Sequence, residues 1–265
     1  MPFTIAVAGK GGTGKTTIAA LTIRLFLERG EGPILAVDAD PNANLGELLN
    51  IEVNRTVGEL REETLEQITD LPAGLPKEQY LELGLQECLV EDKGVDLLTM
   101  GHGEGPKCYC MVNHILRKYI DVLRRNYRYV VIDNEAGMEH LSRRTTQDVD
   151  VLLIVAKADP ISIRSAGRIS ELAERLKLRV REQYLLLNDI PEAEAKAKAG
   201  EGELSRLNLS LSSSLSAGLP LLGSLPHDES ILELSRAGRP LADLPEDSPA
   251  KRTMARILDK LLAER

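Results

Sequence analysis

The chain has 265 residues, 43% apolar and 28% charged, a balance that can build a large core and excludes wholesale disorder. Its net charge of −8 argues against non-specific nucleic-acid binding, which runs on phosphate neutralisation, and against attachment to an anionic membrane surface. Six tyrosines, two phenylalanines and no tryptophan leave few rings on which single-stranded bases could stack. No apolar run reaches the ~20 residues of a membrane span. The amino terminus lacks the basic region of a secretion signal, and three cysteines are too few for a disulfide framework, so the expected compartment is the reducing cytoplasm.

Short apolar runs alternate with segments of helical period. Thr4–Ala8, Pro33–Val37, Val95–Met100, Tyr129–Ile132, Val151–Ala156, Tyr184–Leu187 and Leu219–Leu225 read as strands. Helices are expected at about 15–29, 77–92, 111–126, 139–147, 161–178, 228–237 and 250–263. Runs apolar at nearly every position suit burial on both faces. The pattern therefore predicts an α/β fold, a single domain over 1–265 with a doubly wound, mostly parallel sheet and helices on both faces. Glu192 to Glu203 and Leu207 to Ala217 are low in complexity; the first reads as a solvated helix with a flexible end, and the second carries no assigned role. Met254, Ile257, Leu258, Leu261 and Leu262 form an apolar stripe on the last helix. It could rest on a bilayer, but acids share the helix's polar face with bases, and packing against the domain is the expectation.

Gly9-Lys10-Gly11-Gly12-Thr13-Gly14-Lys15-Thr16-Thr17 fits the phosphate-loop pattern G-x-x-x-x-G-K-[ST] and lies between a strand and a helix, as that motif requires. Glycines there let backbone N–H groups close around phosphate oxygens, and the helix terminus adds positive potential. Lys15 is placed along the β- and γ-phosphates of ATP, and the Thr16 hydroxyl on Mg²⁺. Asp38-Ala39-Asp40-Pro41 follows the second strand, where residues two apart project the same way, so both acids can face that pocket; turn capping is the other use of such acids. Tyr129-Val130-Val131-Ile132-Asp133 is an apolar strand ending in an acid, which suits Asp133 to hold Mg²⁺ through water. Gly137 follows, free to bring its N–H toward the γ-phosphate. Gly11, Asp40, Asp133 and Asn188 all fall at the carboxyl ends of predicted strands, where ligands of open α/β sheets bind.

Cys108-Tyr109-Cys110 stands between a strand and a helix. In extended backbone both sulfurs project to one side, and Lys107 with the helix terminus favours thiolate. Buried cysteines, a redox pair and a metal site all fit the spacing, and the metal site is the preferred reading. Two thiolates make half of a four-ligand soft-metal site, which a symmetric homodimer would complete. His102 and His114 could contribute but read as structural or exposed, and Cys88, near Leu85 and Leu89, reads as core.

Lys10, a second lysine early in the loop, is shared with the deviant Walker A ATPases, a family that includes the Min-type, Par-type and nitrogenase iron proteins. With Asp-Ala-Asp-Pro, Cys108-x-Cys110 and Asp-Asn-Glu-Ala-Gly-Met-Glu, the chain resembles, within that family, the CooC-type ATPases, nickel-insertion accessory proteins of carbon monoxide dehydrogenase. The resemblance implies that Lys10 reaches the partner subunit's nucleotide in a homodimer and that Asp40 positions the attacking water. It implies further that Asp38 acts through the Mg²⁺ water shell, and that Asn188 and Pro226 contact adenine. It also implies ATP hydrolysis to ADP coupled to nickel carried at shared Cys108 and Cys110 thiolates, with apo carbon monoxide dehydrogenase or the related acetyl-CoA synthase as client. Four sulfurs suit zinc equally, and nickel rests on the resemblance alone. Where Min-type relatives have Asp-x-Pro-Ala-Gly, this chain has Asn134-Glu135-Ala136-Gly137, which leaves the parts of Glu135 and Glu139 open. The rival expectation is a Min- or Par-type positioning switch without a metal.

Overall fold

The computed structural model describes residues 2–66, 77–102, 118–135, 148–176, 178–191 and 219–263. Its strands are β1 (Phe3–Gly9), β2 (Ile34–Ala39), β3 (Leu89–Asp92), β4 (Val95–Thr99), β5 (Tyr129–Asn134), β6 (Asp148–Ala156), β7 (Arg179–Ile190) and β8 (Leu221–Pro226). They form one sheet in the order β3-β4-β2-β5-β1-β6-β7-β8, and every pair is parallel except β3 with β4. The helices are α1 (Lys15–Glu28), α2 (Leu45–Leu49), α3 (Val57–Glu66), α4 (Lys77–Cys88), α5 (Pro160–Arg175), α6 (Glu229–Arg236) and α7 (Pro249–Ala263). A further helical stretch at 118–123 runs into a 3₁₀ turn, Arg124–Asn126.

Alternation along the strands sorts the core into two layers. On β1, Ala6 and Ala8 face a cluster built with Val57 and Leu60 of α3, Leu81 and Leu85 of α4 and Ile163 of α5. Ile5 and Val7 point the other way, into a cluster with Ile18 and Phe26 of α1, Leu45 of α2 and Met254 and Leu258 of α7. Both faces of the central strands are therefore covered, which is why they read as unbroken apolar runs. The stripe on α7 is spent on this core: Met254 and Leu258 are wholly buried, and Ile257 and Leu261 nearly so.

Three expectations are corrected. The helix expected over 77–92 ends at Cys88, because Leu89–Asp92 pairs antiparallel with β4 (Val90 opposite Leu97) and becomes the sheet edge. Residues 57–66, assigned no element from sequence, form α3, and 45–49 form α2. The strand expected at Tyr184–Leu187 extends back to Arg179, because Asp148 and Val149 of β6 pair with Arg179 and Val180. The expected helix 139–147 and the segment 111–117 lie outside the described residues.

Candidate functional site

The carboxyl ends of β1, β2, β5, β6, β7 and β8 share one edge of the sheet, and the phosphate loop leaves β1 at that edge. Gly9 sits where a methyl group would stand 2.4 Å from the Val155 carbonyl oxygen and 2.9 Å from Thr13 Oγ1, so the loop can leave between β1 and β6 only without a side chain. The Thr13 hydroxyl donates to the Lys10 carbonyl at 2.8 Å and closes the loop on itself. Gly12 and Gly14 have φ of 77° and 89°, backbone that favours glycine. Methyl groups built on Gly11 or Gly12 would meet no atom within 4 Å, so the cradle is open.

Helix α1 begins at Lys15 with no side-chain cap and no acid in its first turn. No carboxylate of its own first turn competes for the leading N–H groups, the arrangement that suits a bound anion. Lys15 is buried, Thr16 and Thr17 are half-buried and Lys10 is exposed.

The acids on β2 and β5 stand level: Asp38 and Asp133 are register partners on adjacent parallel strands. Asp133 is wholly buried, and no hydrogen bond of good geometry reaches either carboxylate oxygen among the described residues. Burial pushes its pKa up to about 7; the Thr16 hydroxyl and Lys15 pull it down, and the charges of Asp38 and Asp40 push it further up. An orphaned carboxylate facing a threonine hydroxyl is a hard-oxygen donor set of the kind Mg²⁺ prefers, so these two residues fit that ion. Asp38 differs. Its Oδ2 accepts from the Leu45 N–H at 2.9 Å and its Oδ1 from the Asp40 N–H at 3.1 Å. These bonds tie the start of α2 to the end of β2. Burial raises its pKa to about 6 against those two donors, and the charge of Asp40 adds to the rise. Asp40 is half-buried, and its Oδ1 accepts from the Asn42 backbone at 3.0 Å and side chain at 2.8 Å.

Asn188 joins the far side of the loop. Its Nδ2 donates to the Thr13 carbonyl at 2.8 Å, and a methyl group on Gly14 would lie 2.4 Å from that nitrogen. Pro226, buried at the end of β8, is separated from β1 and its loop by β6 and β7. Cys108, Cys110, Gly137, His114, Glu139 and the 192–217 segment lie outside the described residues. His102 is exposed and Glu135 half-buried. Cys88 is buried, its thiol donates to the Thr56 carbonyl at 3.4 Å, and burial raises its pKa to about 11, as suits a core thiol.

Two features of this edge had no signal in sequence. Asn134 is wholly buried, donates from Nδ2 to the Val7 carbonyl at 2.9 Å and leaves its Oδ1 without a hydrogen-bond partner among the described residues. Asp189 pairs with Lys157 and with His227, partners that the chain separates by 32 and 38 positions and that no local motif connects.

The profile of the CobQ/CobB/MinD/ParA nucleotide binding domain matches residues 4–241. An uncharacterised ATP-binding protein of Methanocaldococcus jannaschii is 42% identical, over 97% of this chain and 98% of its own. The carbon monoxide dehydrogenase accessory protein CooC of Rhodospirillum rubrum is 30% identical, over 98% of this chain and 96% of its own. Among solved structures, the MinD cell division protein of Aquifex aeolicus superposes with a TM-score of 0.67 at 24% identity, over 99% of this chain and 98% of that one, a likeness of fold.

Proposed function

Since the chain belongs to the CobQ/CobB/MinD/ParA nucleotide-binding family, whose relatives include ATP-binding proteins, we propose that it hydrolyses ATP as a homodimer and uses the cycle to carry and release a soft metal ion. Cys108 and Cys110 of both subunits would hold the cargo, nickel or zinc, and the client would be apo carbon monoxide dehydrogenase or acetyl-CoA synthase. What supports nucleotide hydrolysis most directly is the orphaned, buried Asp133 set beside Thr16 and the uncapped start of α1. Metal delivery is supported by the Cys-x-Cys spacing and by 30% identity to the accessory protein over nearly the whole chain.

In the proposed reaction, loop N–H groups from Gly11 to Thr17 and the Lys15 ammonium bind the phosphates. Asp40 orients a water molecule, whose oxygen bonds to the γ-phosphorus as the bond to the β–γ bridging oxygen breaks; ADP and hydrogen phosphate leave, and the water's other proton passes to solvent. Lys10, exposed on the loop, would offset charge on the partner subunit's γ-phosphate. Thr16 directly, and Asp133 and Asp38 through water, would hold Mg²⁺, which when bound shields the phosphate charge. Gly137 would add an N–H to the γ-phosphate, and Asn188 and Pro226 would flank the adenine. Loss of γ-phosphate contacts would loosen the dimer and its metal cage.

The rival reading, a Min- or Par-type switch, calls for a lipid or DNA surface, and the α7 stripe that could have met a bilayer is packed on the core. Metal content of untagged protein purified with and without ATP, set against co-sedimentation with anionic vesicles and DNA, separates the two. ATP-dependent metal retention without co-sedimentation supports delivery; ATP-dependent co-sedimentation without metal supports the switch.

A further inference from the structure

Asp189 follows Asn188 at the end of β7 with φ of +61°, a left-handed conformation uncommon outside glycine, asparagine and aspartate. Its register with β8 slips between Leu187 and Ile190, and the chain is re-secured when the His227 N–H donates to the Ile190 carbonyl at 2.7 Å. The turn aims the Asp189 carboxylate sideways across the sheet edge. Oδ2 accepts from Lys157 Nζ, just past β6, at 3.1 Å, and Oδ1 accepts from His227 Nδ1, just past β8, at 2.6 Å. One side chain thus fastens three neighbouring strand ends around Asn188, whose own amide reaches the Thr13 carbonyl in the phosphate loop. An open cavity of about 610 Å³, lined among others by Asp189, His227, Glu229 and Ser230, lies against this fastening. It is large enough for the sugar and base end of a nucleotide.

The geometry points to Asp189 as a positioning residue for nucleotide binding, which with His227 and Lys157 holds Asn188 against the phosphate loop. The proposal rests on the nucleotide reading above and adds a pH dependence to it. His227 Nε2 faces Glu229 Oε2 at 3.3 Å, Glu229 in turn meets Arg236 at 3.4 Å, and Asp228 is occupied by its own bonds to Ser230, Ser248 and Ala250. Among the described residues, the charges facing the imidazole are therefore Asp189 from β7, with Lys157 beyond it, and Glu229 from α6. Hydrogen bonds to Asp189 and Glu229 hold the imidazole pKa above its ordinary 6.5. The cation, and with it the fastening, persists past the usual imidazole range and is lost as pH rises through the elevated value.

Asp189→Asn removes the charge and keeps a side chain that tolerates the left-handed turn, and His227→Gln removes the titration. Calorimetric titration of full-length protein with Mg-ATPγS and with Mg-ADP between pH 5.5 and 8.5 reads both effects. Wild-type affinity relative to the variants should fall by about threefold as His227 deprotonates, the scale of a solvent-exposed ion pair. Both variants should bind at the weak level and lack the His227 step in the pH profile, with KM for ATP raised and kcat at saturating ATP unchanged. Variants that keep the wild-type affinity and pH profile, or that lose kcat rather than affinity, overturn the positioning role. The two readings fail differently. Wild-type protein that binds neither nucleotide defeats the phosphate-site assignment and this proposal together, whereas binding indifferent to Asp189 defeats the proposal alone.

Discussion

Burying Asp133 with no well-formed hydrogen bond among the described residues fixes the sign of a pH effect. Its pKa stands at about 7 in the folded chain against an ordinary 3.8, and Asp38 moves the same way, to about 6. A carboxyl whose folded value is raised contributes stability below its ordinary value, and that contribution drains away as pH rises through the folded value. The nucleotide-free protein should therefore lose stability between about pH 4 and pH 7 and level off above, by about 1.4 kcal/mol for each unit that Asp133 is shifted. That corresponds to a melting-temperature drop of about 2–4 °C for each kcal/mol in a chain of this size. Asp133→Asn should flatten the dependence, and Mg-ADP should restore the wild-type melting temperature at pH 8; a wild-type melting curve indifferent to pH would contradict the assignment. Asp40 predicts a different signature, because its carboxylate is half-exposed and bonded only to Asn42 among the bonds described. Asp40→Ala should keep nucleotide affinity and slow hydrolysis by ~10²-fold or more, the range of a lost proton-handling group. Single-turnover kinetics at the wild-type rate would remove it from the reaction.

At the scale of elements, the site depends on how strands hand over to helices. Gly14 closes the loop onto α1 with φ of 89° and with Asn188 Nδ2 2.4 Å from where a methyl group would lie. Gly14→Ala should cost about 1–2 kcal/mol in backbone strain alone and displace Asn188, lowering both melting temperature and nucleotide affinity. Asp228 does comparable work after β8, accepting from Ser230 N–H at 3.1 Å, Ser248 hydroxyl at 2.6 Å and Ala250 N–H at 3.1 Å, so it anchors the starts of α6 and α7 together. Asp228→Ala should destabilise by about 2 kcal/mol in chemical denaturation without altering kcat. What was legible beforehand follows the range of the interactions involved. The loop Gly9–Thr17, Asp38, Asp40 and Asp133 are written locally as short patterns at apolar strand ends. The edge strand β3 is not, since Leu89 and Val90 prolong the helical stripe of Leu81 and Leu85 and become strand only by pairing with β4. Helix α3 did carry a local mark, a capping box in which the Glu59 carboxylate accepts from the Thr56 N–H and the Glu59 N–H is accepted by the Thr56 hydroxyl. Asp189, Lys157 and His227 meet only because three parallel strands end side by side, and that is information of topology.

Across the whole molecule, one sheet edge gathers the phosphate loop, the two level acids and Asn188, and helices pack on both faces of the sheet behind it. The proposed cycle asks two such edges, from two copies, to close on ATP and to bring two pairs of thiolates together, a requirement one copy is not expected to meet. The most direct measurement is elemental analysis combined with light-scattering mass on untagged protein loaded with Ni²⁺ or Zn²⁺ in the presence of ATP. A dimer carrying one metal ion per two chains is predicted, reduced to metal-free protein by Cys108→Ala with Cys110→Ala while nucleotide affinity holds. A monomer under those conditions, or the same metal content in the double variant, would contradict it.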